Sequence, residues 1–346
     1  MENTKHIILA IDGGGLRGIV PLQFLKYIEQ RTGKRCHQLF DFISGTSTGG
    51  LIACAIAVGK DNQPLYDLPA IEKIYVEHGN DIFPSAKGIG KFFRTVKSFI
   101  DPTFSAKGLS SVLKEKFGSS TLLDCLIPIM IPAFDLKNNN AIMFKYRHAK
   151  KNNLLNLDLY DICRATSAAP TYLPSHKFNY LDENTGIILE RVCIDGGVYI
   201  NNPSVASYVE YTKYFSDFYS KNGELFDRNN LFLLSLGTGR YGKNIDKSKT
   251  MGQLEWAPKI ADVMMQGVNM ITTYQTNELF VPGNFLRLQI QIEEEKYSDM
   301  ADSGDDTRNY MINLANQYLE LQNTKYQIDA FLFNAGLIDK PNSPEV

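Results

Sequence analysis

Short apolar runs alternate along the chain with longer stretches in which apolar residues recur every three or four positions. The runs are rich in β-branched residues and predict strands at 7–11, 41–44, 128–134, 141–146, 187–194, 231–236 and 285–290. The periodic stretches predict a helix from Pro21 through Glu29 and further helices at 51–58, 106–117, 157–166, 203–215, 258–273, 307–321 and 325–334. Gly59 is expected to end the helix at 51–58. This alternation predicts an α/β fold, a three-layer sandwich in which helices cover a central, mostly parallel sheet.

Composition and charge narrow the class of protein. Lys and Arg number 36 against 38 Asp and Glu, so the basic excess of a nucleic-acid binder is missing and no nucleic acid polymer is expected as a partner. The five cysteines are dispersed without a CxxC pair, which favours buried thiols in a reducing compartment. Because no apolar run approaches the roughly 18–20 residues that span a bilayer, and no signal peptide is recognisable, we expect a cytoplasmic protein. The polar stretches at 137–140, 182–186 and 241–250 are typical of loops, so one large domain is expected.

The sequence Gly45-Thr46-Ser47-Thr48-Gly49 lies between a predicted strand and a predicted helix. A nucleophilic serine needs such a place, because a sharp strand-to-helix turn exposes its hydroxyl at the carboxyl end of the strand. The flanking glycines make room for that turn, and the helix N-terminus favours developing negative charge. The alternative is an ordinary loop rich in Gly, Ser and Thr. We predict a nucleophile elbow with Ser47 as the nucleophile.

A glycine cluster, Asp12-Gly13-Gly14-Gly15-Leu16-Arg17-Gly18, follows the first predicted strand. Its G-x-G-x-x-G spacing imitates a dinucleotide fingerprint, but the acid that should close the second strand is missing and Asp12 would lie near the pyrophosphate. The other interpretation is an oxyanion hole, in which glycine N–H groups converge on a developing negative charge. We favour the oxyanion hole and keep the nucleotide site as the alternative.

Asp195-Gly196-Gly197 follows the strand predicted at 187–194, where the acid would be exposed at a strand end. The motif is weak by itself, because Asp-Gly is also a common turn. A serine needs a base, yet no histidine follows His176, and we expect His148 and His176 to be solvated surface residues. The sequence therefore favours Asp195 as the base, which requires an apolar pocket that raises its pKa toward neutrality.

These three motifs, in this order, resemble the patatin-like phospholipase family. Further matching stretches are Arg164 to Pro170 with Tyr172, Asn201-Asn202-Pro203, Ser235 to Gly239 and, near the end, Asp305-Asp306 before a helix with Asn309, Leu314 and Leu319. The resemblance therefore covers residues 6–321 as one catalytic domain, with core motifs at 8–210 and an unmatched C-terminal helix and tail at 322–346. The resemblance implies a lipid acyl hydrolase of phospholipase A type with a Ser47–Asp195 dyad. It also implies an oxyanion hole from the glycine loop (Gly13, Gly14, Gly15, Arg17 and Gly18), no metal and no cofactor.

The same resemblance leaves the biological setting open. Some bacterial relatives are membrane-degrading effectors, and some are switched on by a cyclic nucleotide, so a small-molecule activator and a homodimer remain alternatives. A storage or lipid-binding relative without activity is a further one. The predicted substrate is a phospholipid at a membrane surface, with peripheral membrane association when the enzyme is active.

Two further segments have apolar patterns that bear on lipid. Residues 88–100 predict a helix with phenylalanines and aliphatic residues on one face and basic residues on the other, which either packs on the core, covers the active site or lies on an anionic membrane. Met264, Met265 and Met270 recur at helical spacing; we expect them in the core, with an acyl channel as the alternative.

Overall fold

The computed structural model describes residues 4–341 except 83–105, 171, 184, 219–226 and 243–252, so the segment 88–100 lies outside the described residues. The strands are β1 (His6–Ile11), β2 (Phe42–Gly45), β3 (Gly59–Lys60), β4 (Gln63–Pro64), β5 (Ile129–Asp135), β6 (Asn140–Lys145), β7 (His176–Leu181), β8 (Ile188–Asp195), β9 (Leu231–Leu236), β10 (Arg240–Tyr241), β11 (Phe285–Leu288) and β12 (Gln291–Ile292). The α-helices are α1 (Ile19–Thr32), α2 (Cys36–Leu39), α3 (Thr48–Ala57), α4 (Leu68–Glu77), α5 (Gly79–Ile82), α6 (Lys107–Phe117), α7 (Tyr146–Lys151), α8 (Leu159–Thr166), α9 (Ser204–Phe218), α10 (Gln253–Leu279), α11 (Asp305–Glu320) and α12 (Gln322–Asn334).

The central sheet has the strand order β11-β9-β1-β2-β5-β8-β7, and β6 also pairs with β5. The pairs β1–β2, β1–β9, β9–β11 and β2–β5 are parallel, whereas β5–β6, β5–β8 and β7–β8 are antiparallel. Alternate residues of β1 enter two separate cores, Ile7, Leu9 and Ile11 on one face and Ile8 and Ala10 on the other. The first core includes α1 and α3, and the second includes the tyrosines of α9. Helices therefore cover both faces of the sheet, and the predicted α/β fold with a mostly parallel sheet is confirmed.

Two strands of opposite direction end at the same place along β5. β2 runs parallel to β5 and pairs only with its first two residues. β8 runs antiparallel and pairs only with the last three residues of β5, so that Asp195 lies opposite Ala133. The carboxyl ends of β2 and β8 consequently meet near Pro132. Since Ser47 lies two residues after the end of β2 and Asp195 is the last residue of β8, the strand register brings the two predicted catalytic residues to the same place.

The structure differs from the sequence-based prediction at several elements, of which β7, α3 and α10 are the most instructive. β7 was not predicted, because as an edge strand it alternates exposed and buried residues and lacks a continuous apolar run. Gly59 does not close α3, because the helix ends at Ala57 and Gly59 pairs with Pro64 in a two-stranded ladder. The long helix α10 was predicted only from Pro258 to Thr273, yet it begins at Gln253 and ends at Leu279.

A short amphipathic helix, α4, was also missed although the sequence carries its start signal. The Asp67 side chain accepts a hydrogen bond from the amide of Ala70 at 2.8 Å, and Pro69 lies in the first turn. α4 matters for the site because it carries Tyr75, a buried residue whose hydroxyl reaches the start of α3.

The C-terminal helix α12 packs into the same core as the sheet helices. Ile328, Phe331 and Leu332 are buried in that core, and the Phe331 ring contacts Phe232 of β9. A buried Asp329 also binds Arg31 of α1 at 2.8 Å. All five cysteines are buried and free. Within the described ranges, no helix is both long enough and apolar enough to cross a bilayer.

Candidate active site

The turn between β2 and α3 holds Ser47 in a strained backbone conformation. Ser47 has φ 54° and ψ −125°, a region that L-residues rarely adopt and that costs about 1–3 kcal/mol. Ser47 is also the residue that immediately precedes the first turn of α3. The hydroxyl-bearing residue of the G-x-S-x-G motif therefore occupies the strained turn predicted from the sequence.

Hydrogen bonds from three directions fix this turn. The amide of Ser47 donates to Thr166 Oγ1 at 3.0 Å, and that hydroxyl donates in turn to the carbonyl of Pro132 at 2.7 Å. Thr46 Oγ1 donates to the carbonyl of Ile200 at 2.7 Å. Thr48 shares a hydrogen bond with the buried hydroxyl of Tyr75. The strain at Ser47 is thus held by contacts from β5, α4, α8 and the chain after Asp195.

The two glycines of the motif are required by close backbone approach. A Cβ at Gly45 would collide with the carbonyl group of Gly49, and a Cβ at Gly49 would lie 2.7 Å from the carbonyl oxygen of Asp12 and even nearer to that of Ile11. Neither obstacle is a movable side chain. The second contact also shows that the elbow packs directly against the end of β1, where the glycine loop starts.

The glycine loop lies beside Ser47. A Cβ on Gly13 would be 3.2 Å from the Cβ of Ser47 and 2.5 Å from Oδ1 of Asn201. The Gly13 amide donates to the carbonyl of Asn201 at 3.1 Å, and the Gly13 carbonyl accepts from Thr238 Oγ1 at 2.7 Å. The loop is thereby fastened to the two segments, 201–203 and 235–239, that accompany it in the sequence pattern.

A buried ion pair anchors the start of the loop. Asp12 is fully buried, and its two carboxylate oxygens accept from the guanidinium of Arg287 on β11, Oδ1 at 2.8 Å. Arg287 also donates to Ser235 Oγ at 2.8 Å, and the hydroxyl of Ser204 donates to the same oxygen. Asp12 is therefore occupied by Arg287, and a pyrophosphate at the loop would have to lie against this neutralised pair.

The next residues of the loop leave two backbone donors available. The amides of Gly14 and Gly15 donate no hydrogen bond to any residue that the structure describes. Gly15 has φ +58° and begins a short 3₁₀ helix, Gly15–Gly18, that leads into α1. Arg17 and Gly18 in this turn are buried, and a Cβ on Gly18 would meet the side chain of Thr48. The loop and the elbow are thus in contact at both Gly13 and Gly18.

Asp195 is buried at the end of β8, on the side of the sheet where β2 ends and the Ser47 turn begins. Its Oδ1 accepts from the amide of Gly197 at 2.7 Å. Burial raises the pKa of Asp195 from its ordinary 3.8 to about 6, although the hydrogen bonds from Ser47 and Gly197 lower it. Gly196 is needed because a Cβ there would lie 2.6 Å from the carbonyl oxygen of Pro132.

The prediction that His148 and His176 are solvated is wrong. Both rings are largely buried and each binds a carboxylate, His148 that of Glu183 at 2.5 Å and His176 that of Asp161 at 2.7 Å. Packing explains the difference, because His176 stacks on Phe178 within the sheet and His148 lies on α7 beside Arg147. In the described part of the chain, neither ring forms a hydrogen bond with Ser47 or Asp195.

A cleft of about 900 Å³ opens beside the glycine loop. Gly13, Arg17 and Asn201 form its inner end, and α10 forms one wall through Met265, Met270 and other residues. Ser47 and Asp195 are not among its lining residues; the cleft meets the glycine loop at Asp12, Gly13 and Arg17. Of the three methionines expected in the core, Met264 and Met270 are exposed and Met265 is partly exposed, so that prediction is wrong.

Several residues that support the site had no assigned role in the sequence analysis. Thr166, Asn201 and Thr238 lie in stretches that match the family pattern, so their positions, though not their contacts, could be found there. Tyr75 and Arg287 could not be predicted as site residues, because their partners lie 27 and 275 positions away and the neighbouring sequence carries no motif for such contacts. Among the described residues, no group of three or more His, Cys, Asp or Glu side chains could hold a metal ion.

Comparison with known proteins tests the predicted resemblance. A family profile described as patatin-like phospholipase matches residues 9–206. Patatin-like protein 3 of Arabidopsis thaliana is 32% identical over 300 residues, which cover 79% of this chain and 70% of that protein. Patatin group J-1 of Solanum tuberosum is 30% identical over 333 residues, which cover 90% of this chain and 83% of that protein.

Among solved structures, the crystal structure of VipD from Legionella pneumophila matches 95% of this chain and 71% of that chain, with a TM-score of 0.40 and 11% identity. The profile match and the two plant relatives carry the conclusion, and the predicted resemblance is confirmed. The chain belongs to the patatin-like phospholipase family and is, at the level of that family, a lipid acyl hydrolase.

Proposed function

We propose that this protein is a metal-independent phospholipase A that cleaves fatty acyl esters of glycerophospholipids with Ser47 as nucleophile and Asp195 as base. The observation that carries the proposal is the strained turn of Ser47 at the end of β2, beside which the register of β8 brings Asp195, a buried carboxylate whose pKa is raised to about 6. A carboxylate with that pKa is mostly ionised at pH 7 and is still basic enough to accept a proton.

The reaction proceeds in two acyl-transfer steps. Ser47 Oγ attacks the ester carbonyl while its proton passes to Asp195, and the resulting tetrahedral intermediate expels the lysolipid alkoxide, which takes that proton. Water then attacks the acyl-serine ester and gives a proton to Asp195. Collapse of the second intermediate releases the fatty acid and returns the proton to Ser47.

The glycine loop supplies the oxyanion hole in this proposal. The amides of Gly14 and Gly15, which donate to no described residue, are available to a developing oxyanion next to Ser47. Gly13, by contrast, uses its amide to bind Asn201 and so positions the loop. Arg17 and Gly18 hold the turn that follows, and the preorganised donors need no rearrangement during the reaction.

A lipid substrate follows from the family and from the cleft, which offers apolar wall residues such as Met265 and Phe285 beside the glycine loop. We expect the protein to act at a membrane surface, because its substrate resides there. The strained Ser47 backbone argues against a storage relative that only keeps the fold, since strain of this kind persists at functional sites. The Asp12–Arg287 pair argues against a nucleotide on the glycine loop.

The test is release of fatty acid and lysolipid from mixed-phospholipid vesicles, measured by mass spectrometry. Ser47→Ala and Asp195→Asn should each lower the rate at least about 1,000-fold. His148→Gln and His176→Gln are matched controls and should keep most of the activity. For the unmodified protein, kcat/KM should rise about tenfold per pH unit below pH 6 and level off above it, because only ionised Asp195 accepts the proton.

Stability measurements on Asp195→Asn separate lost chemistry from lost folding. Burial raises the folded-state pKa above the unfolded value, so the stability contributed by the neutral carboxyl is complete below pH 4 and is lost as the pH rises through 6. Asp195→Asn should therefore unfold with about 3 kcal/mol more free energy than the unmodified protein at pH 8 and with little difference at pH 4. Full lipid release by Ser47→Ala would overturn the proposal, and full release by Asp195→Asn would remove Asp195 as the base.

A further inference from the structure

The helix α10 carries apolar side chains on the side that faces solvent and mostly polar side chains on the side that faces its own domain, the reverse of a normal surface helix. Its solvent side carries six large apolar side chains, Ile260, Val263, Met264, Met270, Ile271 and Tyr274, with exposed fractions of 45%, 43%, 61%, 61%, 49% and 62%. Its inward side is mostly polar: Thr272 and Thr276 are buried, and Gln266, Asn269 and Thr273 line the cleft together with Met265. A helix packed only against its own domain turns its apolar face inward. No residue that the structure describes covers these six residues, which are called the apolar stripe below.

The apolar stripe is symmetric about Gly267. Relative to that glycine, its members lie at −7, −4, −3, +3, +4 and +7. At 100° per residue these positions fall within an arc of about 120° centred on Gly267, and they span about 21 Å of helix. A Cβ on Gly267 would meet no described residue within 4 Å, so the structure shows nothing packed on the centre of the stripe.

We propose that the apolar stripe binds the same stripe of a second copy of this chain, with the two α10 helices antiparallel and crossing at Gly267. A two-fold interface needs a self-complementary surface, in which each residue pair occurs twice. The symmetry supplies this: position 260 faces 274, position 263 faces 271 and position 264 faces 270. The central glycine lets the two backbones approach closely, as small residues do at helix crossings.

Charge favours a second copy over a bilayer as the occupant. Between Ile260 and Asn277 the sequence holds a single charged residue, Asp262, and no stripe position is charged. Helices that lie on anionic membranes carry Lys and Arg around their apolar face, whereas the centre of a homodimer interface is depleted of charge.

The available area suits a small dimer interface. The six half-exposed side chains offer on the order of 600 Å², against about 800 Å² per partner in a stable interface. The neighbouring elements add to it, because Val198 and Val209 are both 46% exposed. Met270 and Tyr274 belong both to the stripe and to the lining of the cleft, so the second copy would border the entrance to the cleft.

The first test uses disulfide formation at the symmetry axis. Gly267→Cys would place two thiols against each other across the crossing, within the Cα distance of 4.4–6.8 Å that a disulfide needs. Because the five native cysteines are buried, mild oxidation should link this variant into a dimer. Ser111→Cys, at an exposed position on α6, is the matched control and should remain unlinked. Equal, slow linking of both variants would show random collision and overturn the proposal.

The second test uses charge pairs and sedimentation equilibrium. Met264→Glu and Met270→Lys, each alone, should raise the dimer dissociation constant at least about tenfold, because each buries an unpaired charge. The double variant should return to within about threefold of the unmodified protein, since antiparallel pairing sets position 264 against 270. Thermal unfolding of the dissociated variants controls for folding. A monomer at all concentrations, a dimer insensitive to these substitutions, or binding of uncharged phosphatidylcholine vesicles through the stripe without dimer formation would each overturn the proposal.

Discussion

Two glycine-containing segments of this protein have opposite surroundings. At the elbow, Gly45 and Gly49 are enclosed by backbone atoms, so that neither could carry even one more carbon atom without a collision. In the middle of α10, a Cβ on Gly267 would meet none of the described residues, and exposed apolar side chains flank this glycine. The elbow is enclosed by residues of the same chain, whereas no described residue covers the outer face of α10.

The two segments differ in whether described residues of the same chain enclose them. The elbow glycines are required by backbone atoms of their own chain, at the end of β1 and in the first turn of α3. A short sequence motif is therefore enough to predict their positions. The outer residues of α10 have the right types for a core, but the described part of the chain supplies no core on that side. A sequence pattern shows that a face is apolar and leaves open whether the same chain covers it.

The largest expected effect comes from closing the space at the elbow. Gly45→Ala would drive a methyl group into the backbone at Gly49 and Gly50, which cannot move without disturbing α3. We expect a loss of more than about 4 kcal/mol in the free energy of unfolding. Urea denaturation followed by circular dichroism measures it. A loss below about 1 kcal/mol would show that the elbow is looser than these contacts indicate.

Removal of Arg287 should have the next largest effect. Arg287→Gln leaves the carboxylate of Asp12 buried without its partner, and breaking one side of a buried pair costs about 3–5 kcal/mol. The double variant Asp12→Asn with Arg287→Gln restores a neutral pair and should recover at least half of that loss. Urea denaturation of both variants measures the loss in the free energy of unfolding. An equal loss in the single and the double variant would contradict a role for the unpaired charge.

Much of the fold could be predicted from the sequence because its strands are continuous apolar runs. β9 was predicted with its observed bounds, and β1, β2, β5, β6, β8 and β11 within two residues at each end. β7 was not predicted because an edge strand buries only alternate residues. α4 was not predicted because its amphipathic face is short. The antiparallel approach of β8 to β5 was beyond reach, since register depends on partners far apart in the chain.

The candidate site also contains residues that could be predicted from the sequence and residues that could not. The sequence indicated Ser47, Asp195 and the glycine loop, because a turn with close backbone approach demands glycines at fixed spacing. It did not indicate Arg287, whose partner Asp12 is 275 residues away, nor that Thr166 binds the amide of Ser47. It placed the methionines of α10 in the core, because spacing alone cannot distinguish an inner apolar face from an outer one.

The smallest effect, opposite in sign, is expected on α10. Gly267→Ala adds a methyl group where no described residue lies within 4 Å, and alanine stabilises a helix interior relative to glycine by about 1 kcal/mol. Measured in the Met264→Glu background, where the dimer is dissociated, this substitution should raise the free energy of unfolding by up to that amount. The same change at Gly45 lowers it severalfold more, so one pair of urea titrations compares an enclosed glycine with an open one. If Gly267→Ala instead destabilised the dissociated chain, Gly267 would already pack against its own domain, and the apolar stripe would have no open centre for a second copy to occupy.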